Sequence, residues 1–299
     1  LRRGRRGGGG PVSKRRIPSR VFTILVYLFL YAPIALLIIF SFNSGRSNRV
    51  WEGFSLQWYL ELFQDTRLLG ALRTTLILSV LAAVIATLLG TAAAIGFYSM
   101  RRRSRGVCLA VNNIPLTNAD IITGVSMMLL FVFAIGLFNA SPISQALGLR
   151  WRMGFGTLLI AHITFDAPYV ILSVMPKLRQ LDPNIYEAAQ DLGASGLYAF
   201  RRVILPEILP GVLNGMIIAF TMSIDDFVIS YFTKGSGVTT LAVEIYTMVK
   251  KPVTPEINAL STLMFVCVFA LLLVVNVRQA RQETASEKRK AALMPDAQS

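Results

Sequence analysis

One histidine, His162, and two cysteines, Cys108 and Cys267, are all that 299 residues offer for soft metal coordination. No Cys/His constellation can be built from so few. The cysteines sit far apart, in or beside apolar blocks, so they read as small hydrophobes rather than a disulfide framework. His162 is expected to face a neighbouring helix, with a proton relay as the rarer alternative. A Gly-x-x-x-x-Gly-Lys-Ser/Thr phosphate loop is also missing. Gly235-Ser-Gly237 lacks the strand–loop–helix context, and no Lys-Ser follows the N-terminal glycines. The chain is therefore expected to hold no metal, cofactor or catalytic residues of its own. Charge is scarce as well, at 15% of residues, where a soluble domain carries about 25%. The net charge of +14 does not indicate nucleic acid, because the basic residues flank apolar blocks instead of forming one aromatic-lined face.

What is present is long apolar sequence. A helix needs about 20 mostly apolar residues to cross the hydrocarbon core. Six blocks qualify: Val21–Phe42, Ala71–Met100, Val107–Phe138, Phe155–Pro176, Gly211–Tyr231 and Ile257–Val277. Asp166 and Pro168 interrupt the fourth. The expected fold is an all-α membrane protein with six transmembrane helices over residues 21–278. A basic Gly/Arg-rich tail (1–20), expected to be disordered, precedes it, and a polar tail (279–299) follows. The first block is long enough to span and lacks a small-residue cleavage pattern, so it reads as an uncleaved anchor.

Positive charge gives the orientation. The N-terminal tail, Arg101–Arg105, the segment from Lys177 to Arg202 and the C-terminal tail together hold 21 of the 30 Lys and Arg residues. Positive-inside bias then places both termini in the cytoplasm. Trp51, Trp58, Tyr59 and Trp151 lie at span ends, where aromatic belts form. Trp51–Phe63 reads as a short amphipathic helix on the outer face.

The segment between the fourth and fifth blocks carries its own start and stop signals. Asp182 suits an N-cap and Pro183 the first helical position. Tyr186–Leu192 can form a short helix, Gly193 can end it, and Gly196 to Ile204 can form a second. Pro206 is expected to break the chain again. Glu187-Ala188-Ala189, Gly193-Ala194, Phe200, Val203, Leu205 and Pro206 resemble the EAA motif of membrane subunits of bacterial ATP-binding-cassette importers. The resemblance implies a type I importer permease fold and a cytoplasmic coupling helix. Glu187, Ala188, Ala189, Gly193 and Pro206 would then couple to a partner that hydrolyses ATP and binds its Mg.

Four acids lie within the apolar blocks: Asp120, Asp166, Asp225 and Asp226. No basic residue sits well inside any block. An isolated carboxylate at a helix centre costs about 2.5–3.5 kcal/mol on insertion scales. A water-filled cavity, protonation or a cationic ligand would relieve that cost. At about 1.5 Å per residue, Asp225 and Asp120 fall in the outer half and Asp166 near mid-depth. Adjacent positions on one helix would turn Asp225 and Asp226 about 100° apart.

Ser41-Phe42-Asn43-Ser44, Trp58-Tyr59, His162-Ile-Thr-Phe165 and Ser223-Ile-Asp-Asp226, taken with the EAA motif, resemble the spermidine/putrescine permease group. The resemblance runs over roughly residues 21–278. It implies a bacterial cytoplasmic-membrane permease for polyamines, paired with a second homologous permease, two ATPase subunits and an extracytoplasmic polyamine-binding protein. Asp120, Asp166, Asp225, Asp226, Trp58 and Tyr59 are its substrate-pathway candidates, with Tyr169 and Tyr231 as further aromatic faces. Helix pairing or capping is the competing role for each acid. Three alternatives stand. The same machine could carry ferric ion, an anion or a sugar acid. A secondary transporter could work by Asp protonation, and a non-transporting scaffold would tolerate loss of the acids.

Overall fold

In the computed structural model, which describes residues 16–45, 50–182, 184–250, 256–270, 272–273 and 277, the apolar blocks are helical. In chain order the helices are α1 (Arg16–Phe40), α2 (Gln57–Gln64), α3 (Thr66–Ser99), α4 (Arg102–Thr117), α5 (Asp120–Ala140), α6 (Pro142–Leu147) and α7 (Phe155–Gln180). They continue with α8 (Ile185–Asp191), α9 (Gly196–Ala199), α10 (Leu205–Asp225), α11 (Val228–Thr233), α12 (Leu241–Val249) and α13 (Glu256–Ala270). Five helical stretches among the described residues are long and apolar enough to cross a membrane: Val21–Phe40, Thr66–Ser99, Asp120–Ala140, Phe155–Gln180 and Gly196–Asp225. Glu256–Ala270 is a shorter apolar helix, and most of the chain expected to extend it to Val277 lies outside the description. The expectations for residues 1–15, Pro183 and 279–299 also fall outside it. Arg16–Arg20, read from sequence as tail, are already helical.

Two units can be recognised, 1–64 with 252–266 and 65–251 with 267–299. In the first, α1 is apolar on every face and its span buries nothing within the chain. Such a helix suits lipid or another subunit. After it, a bridge between Asn43 and Phe54 closes a turn, and α2 follows. Trp58 is buried in this unit, and its indole N–H donates to the Asn43 carbonyl at 2.7 Å. The Tyr59 hydroxyl pairs with Ser41 Oγ at 2.7 Å. Trp58 is thus a pin for the turn and not a member of an interfacial belt, because an indole N–H buried without a partner would be costly.

The second unit is built on α3, α7 and α10, which pack on one another. Asp65 caps α3, its Oδ1 accepting from the Arg67 and Leu68 amides. Small buried residues line the contact face of α3: Ala71, Thr75, Ala82, Ala83, Ala86, Gly90 and Ala94. A methyl on Gly90 would come within 2.8 Å of Val170 Cβ and 3.1 Å of the Ala167 carbonyl. Close backbone approach through small residues is how helices associate where no hydrophobic effect drives them together. Val170, Val174, Met175 and Leu178 of α7 and Ile208 and Ala219 of α10 fill the rest of the core. α7 is continuous, and neither Asp166 nor Pro168 interrupts it.

Two blocks depart from the sequence expectation. The third is not one long helix. It breaks at Asn118 and Ala119, both extended, and the apolar span begins only at Asp120. Pro115 already withholds one amide from the last turn of α4. Asp120 then opens α5, where its charge faces the positive end of the helix. The expected depth of about 20 Å along an unbroken helix is therefore withdrawn. The fifth block breaks after Asp225, where Asp226 is extended (φ −62°, ψ 120°) and α11 starts two residues later. The 100° separation expected of Asp225 and Asp226 on one helix does not apply.

Pro206 does not break the chain. The helix runs from Gly196 to Asp225, with a wide π turn at Phe200–Ile204 in which the Leu205 amide reaches the Phe200 carbonyl. The wide turn accommodates a proline that has no amide to give and whose ring crowds the preceding turn.

Candidate functional site: an acidic cluster at two helix breaks

α5, α7, α10 and α11 meet where the two breaks occur. Gly124, one turn into α5, lies under α11: a methyl there would be 3.0 Å from Phe232 and 3.4 Å from the Val228 carbonyl. This contact brings the start of α5, with Asp120, to the α10–α11 junction. Asp226 comes within Coulombic range of both Asp166 and Asp120, and Tyr169 within range of Asp120 and Asp166. Three of the four sequence-predicted acids thus share one locality. Asp225 adjoins Asp226 and remains exposed.

The acids differ in what they do locally. Asp226 caps α11, its Oδ1 accepting from the Ile229 amide at 3.2 Å and its Oδ2 from the Ser230 amide at 2.7 Å. Asp120 is exposed at the first position of α5. Asp166 is wholly buried on α7, and neither carboxylate oxygen has a hydrogen-bond partner. Burying such a group unpaired is costly. Trp58 and Tyr59 belong to the other unit, where both polar atoms are engaged locally.

His162 holds the junction together, a role its position in the sequence did not disclose. It is 1% exposed. Its Nδ1 pairs with Ser223 Oγ of α10 at 2.7 Å, and its Nε2 with Ser230 Oγ of α11 at 3.0 Å. Asp226 Oδ2 lies 3.6 Å from Nε2. One imidazole on α7 therefore ties both sides of the broken fifth segment. The expectation that it faces a neighbouring helix was right, and the serine partners, 61 and 68 positions away, are what sequence could not supply.

An aromatic group borders the junction. Phe227, Tyr231 and Tyr246 approach one another pairwise at 4.4–6.0 Å between ring centroids. Tyr246 comes from α12, which two contacts fasten to α3. The Leu241 amide donates to Thr75 Oγ1 at 2.8 Å, and Arg67 Nε lies 3.1 Å from Glu244 Oε1.

At the other end of α7, the α8–α9 loop takes the expected helix–Gly–helix form. Asp182 is not the N-cap expected of it: Asn184 stands there and the helix starts at Ile185, while Asp182 Oδ1 accepts the Asn184 amide and so bends the chain ahead of the helix. Gly193 has φ +85°. Its amide donates to the Gln190 carbonyl, and the Ala194 amide to the Ala189 carbonyl, the paired bonds of a Schellman cap. Tyr186 sits against Gly196, where a methyl would approach its hydroxyl at 2.8 Å. Glu187 and Ala188 are exposed, and so are Leu192 (90%), Leu197 and Tyr198. Ala189 is half-buried.

Among the described residues, no group of three or more His, Cys, Asp or Glu is placed to hold a metal ion.

Comparison with known proteins bears on both regions. Residues 86–285 match the family described as the binding-protein-dependent transport system inner membrane component. The chain is 40% identical over 251 residues to the putrescine transport system permease protein PotI of Escherichia coli (strain K12), spanning 83% of this chain and 86% of that one. It is 37% identical to the spermidine/putrescine transport system permease protein PotC of Haemophilus influenzae, across 85% and 93% of the two chains. In fold it is similar to a chain of a bacterial ABC transporter involved in the import of alginate, with TM-score 0.70 and 17% identity over 88% of this chain and 94% of the other.

Proposed function

Because the chain belongs to the family of binding-protein-dependent transport system inner membrane components, we propose that it is the polyamine-translocating permease subunit of an ATP-binding-cassette importer in a bacterial cytoplasmic membrane. The observation that carries the substrate class is the 40% identity with a putrescine permease over 83% of the chain. The acids at the helix breaks support it chemically. Linear alkyl diamines and triamines carry two or three ammonium groups, and a carboxylate-lined path offsets their loss of water. Asp120 and Asp225, both exposed, are the residues that meet the passing substrate. Asp166 lies buried behind them, with no partner for either carboxyl oxygen. Asp226 shapes the junction as the cap of α11, and Tyr231 offers a ring face. Trp58 and Tyr59 shape the turn after α1.

Hydrolysis takes place elsewhere in the assembly. ATP and Mg are held by two ATPase subunits, a second similar permease completes the pathway, and an extracytoplasmic binding protein delivers the polyamine. The α8–α9 loop docks on an ATPase through Glu187, Ala188 and Ala189, with Leu192 and Leu197 as its apolar anchors. Gly193 fixes the angle between the two short helices. α7 enters the loop and the continuous Gly196–Asp225 helix leaves it, so a push on the loop is carried to the acidic junction, which lies midway along α7 and at the far end of the other helix. The loop and both termini face the cytoplasm in this reading.

The test is ATP-driven uptake of labelled putrescine and spermidine in proteoliposomes containing the partner subunits, with and without this chain. The expected result is uptake that requires the chain and falls at least tenfold in Asp120→Asn plus Asp225→Asn, with assembly unchanged. Uptake of neither amine by the complete assembly refutes the substrate class.

A further inference from the structure

We propose that the Phe227, Tyr231 and Tyr246 rings form an ammonium-accepting platform, and that Lys250 occupies it as a tethered competitor which the substrate amine displaces. The inference rests on the polyamine reading and assigns a site within it.

The starting observation is that one ring of the three, Tyr246, already carries an ammonium from the residue four positions on. Lys250 Nζ stands 4.6 Å from the centroid of the Tyr246 ring, inside the range for attraction between a cation and a ring face. Among the described residues, no carboxylate forms an ion pair with it. Glu244, the acid on the same helix, is engaged by Arg67 at 3.1 Å. A solvated surface lysine gains little from lying over a ring, and a binding face for alkylammonium groups would hold one in that place. The Lys side chain is itself a four-methylene stem ending in a primary ammonium. Chemically it is putrescine less one ammonium, so a site that accepts it accepts one end of putrescine.

The platform is open and held in place. Tyr231 is 40% and Tyr246 39% exposed, which leaves ring surface for a second ligand. Phe227 lies 4.4 Å from Tyr246 and 5.5 Å from Tyr231, and Tyr231 lies 6.0 Å from Tyr246. Tyr231 also meets Phe232 edge-on at 5.4 Å. Phe227 directly follows Asp226, so the rings continue from the acidic junction without a gap in sequence. The Thr75–Leu241 and Arg67–Glu244 contacts hold the α12 side against α3. An incoming diamine can place one ammonium on the rings and the other toward Asp225.

A tethered competitor is displaced but never diluted away, so it weakens binding by a set factor. Releasing substrate is as necessary as binding it, and a returning Lys250 ammonium favours release. The expected effect is the value of one partly exposed cation–ring contact, about two- to fivefold in affinity.

Equilibrium binding of labelled putrescine to the purified complete transporter, without its binding protein, tests this. Lys250→Met keeps the stem and removes the charge, and it should tighten binding two- to fivefold. Lys250→Arg should leave binding near wild type. Tyr246→Leu should weaken binding about two- to fivefold in the Lys250→Met background, and adding Lys250→Met to Tyr246→Leu should produce no tightening. Unchanged or weaker binding in Lys250→Met overturns the competitor role. The same tightening with and without Tyr246 shows a general charge effect and overturns the platform. A wild-type assembly that imports no polyamine in proteoliposomes sinks the substrate reading instead, and this inference with it.

Discussion

Replacing His162 by Ala removes one side chain and breaks the tie across three helices. Ser223 Oγ and Ser230 Oγ lose partners at 2.7 and 3.0 Å in a place where the ring was 1% exposed. Leaving a buried polar group unsatisfied costs about 1–3 kcal/mol. Two such groups cost about 2–6 kcal/mol together, and the vacated ring volume adds to the loss. Each serine can turn its hydroxyl toward a carbonyl of its own helix, so the lower half of that range is expected. Unfolding in detergent, followed by tryptophan fluorescence, should register the destabilisation. A second variant separates structure from chemistry. His162→Leu with Ser223→Ala and Ser230→Ala removes donors and acceptors together, and such matched apolar replacement can be nearly neutral. If His162 is a structural tie, the triple variant recovers stability relative to His162→Ala and recovers polyamine uptake with it. Recovered stability without uptake would show that the imidazole acts on the substrate or a proton. A His162→Ala protein as stable as wild type would refute the argument from burial altogether.

The Gly90→Ala methyl would come 2.8 Å from Val170 Cβ, an overpacking expected to cost about 1–3 kcal/mol. Adding Val170→Ala should restore part of it, and a double-mutant cycle in thermal unfolding checks the coupling. Gly193→Ala forces a side chain into φ +85° at a cost of about 1–2 kcal/mol. It should reduce the ATPase activity stimulated by the loaded binding protein while leaving the amount of assembled complex unchanged. Asp226→Ala removes the acceptors of the Ile229 and Ser230 amides and should destabilise by about 0.5–2 kcal/mol. Asp166→Asn removes a buried carboxylate without partners and should stabilise the chain or leave it unchanged, with any loss appearing in uptake alone.

Local signals were the ones the sequence carried clearly. Gly193 and its spacing describe the end of α8, because a left-handed glycine acts on neighbours a few residues away; the start was misplaced, since Asn184 and not Asp182 stands at the N-cap. Five of the six expected spans were legible for a similar reason, since an averaged apolar block reports a membrane, and the sixth appears as the shorter apolar helix Glu256–Ala270. The same averaging hid the breaks at Asn118–Ala119 and Asp226–Phe227, where apolar residues continue on both sides. Asp120 looked like a mid-helix acid and is a first-turn residue. Trp58 looked like an interfacial aromatic, and only the return of the chain to Asn43 shows what its indole meets. His162 needed Ser223 and Ser230, and no local pattern links such distant positions.

The wide turn at Phe200–Ile204 amounts to one surplus residue threaded into an otherwise regular rod. A π turn closes its hydrogen bond one residue later than an α turn, so it absorbs the surplus residue in place and the rod keeps its course on either side. What slips is the sequence register: the buried positions after the turn fall about 100° away from where an unbroken α-helical count would put them. Deleting a single residue between Phe200 and Ile204 would therefore restore a regular hydrogen-bond ladder and leave both ends aimed as they are. A deletion elsewhere in the Gly196–Asp225 helix would instead turn one end against the other by about 100°.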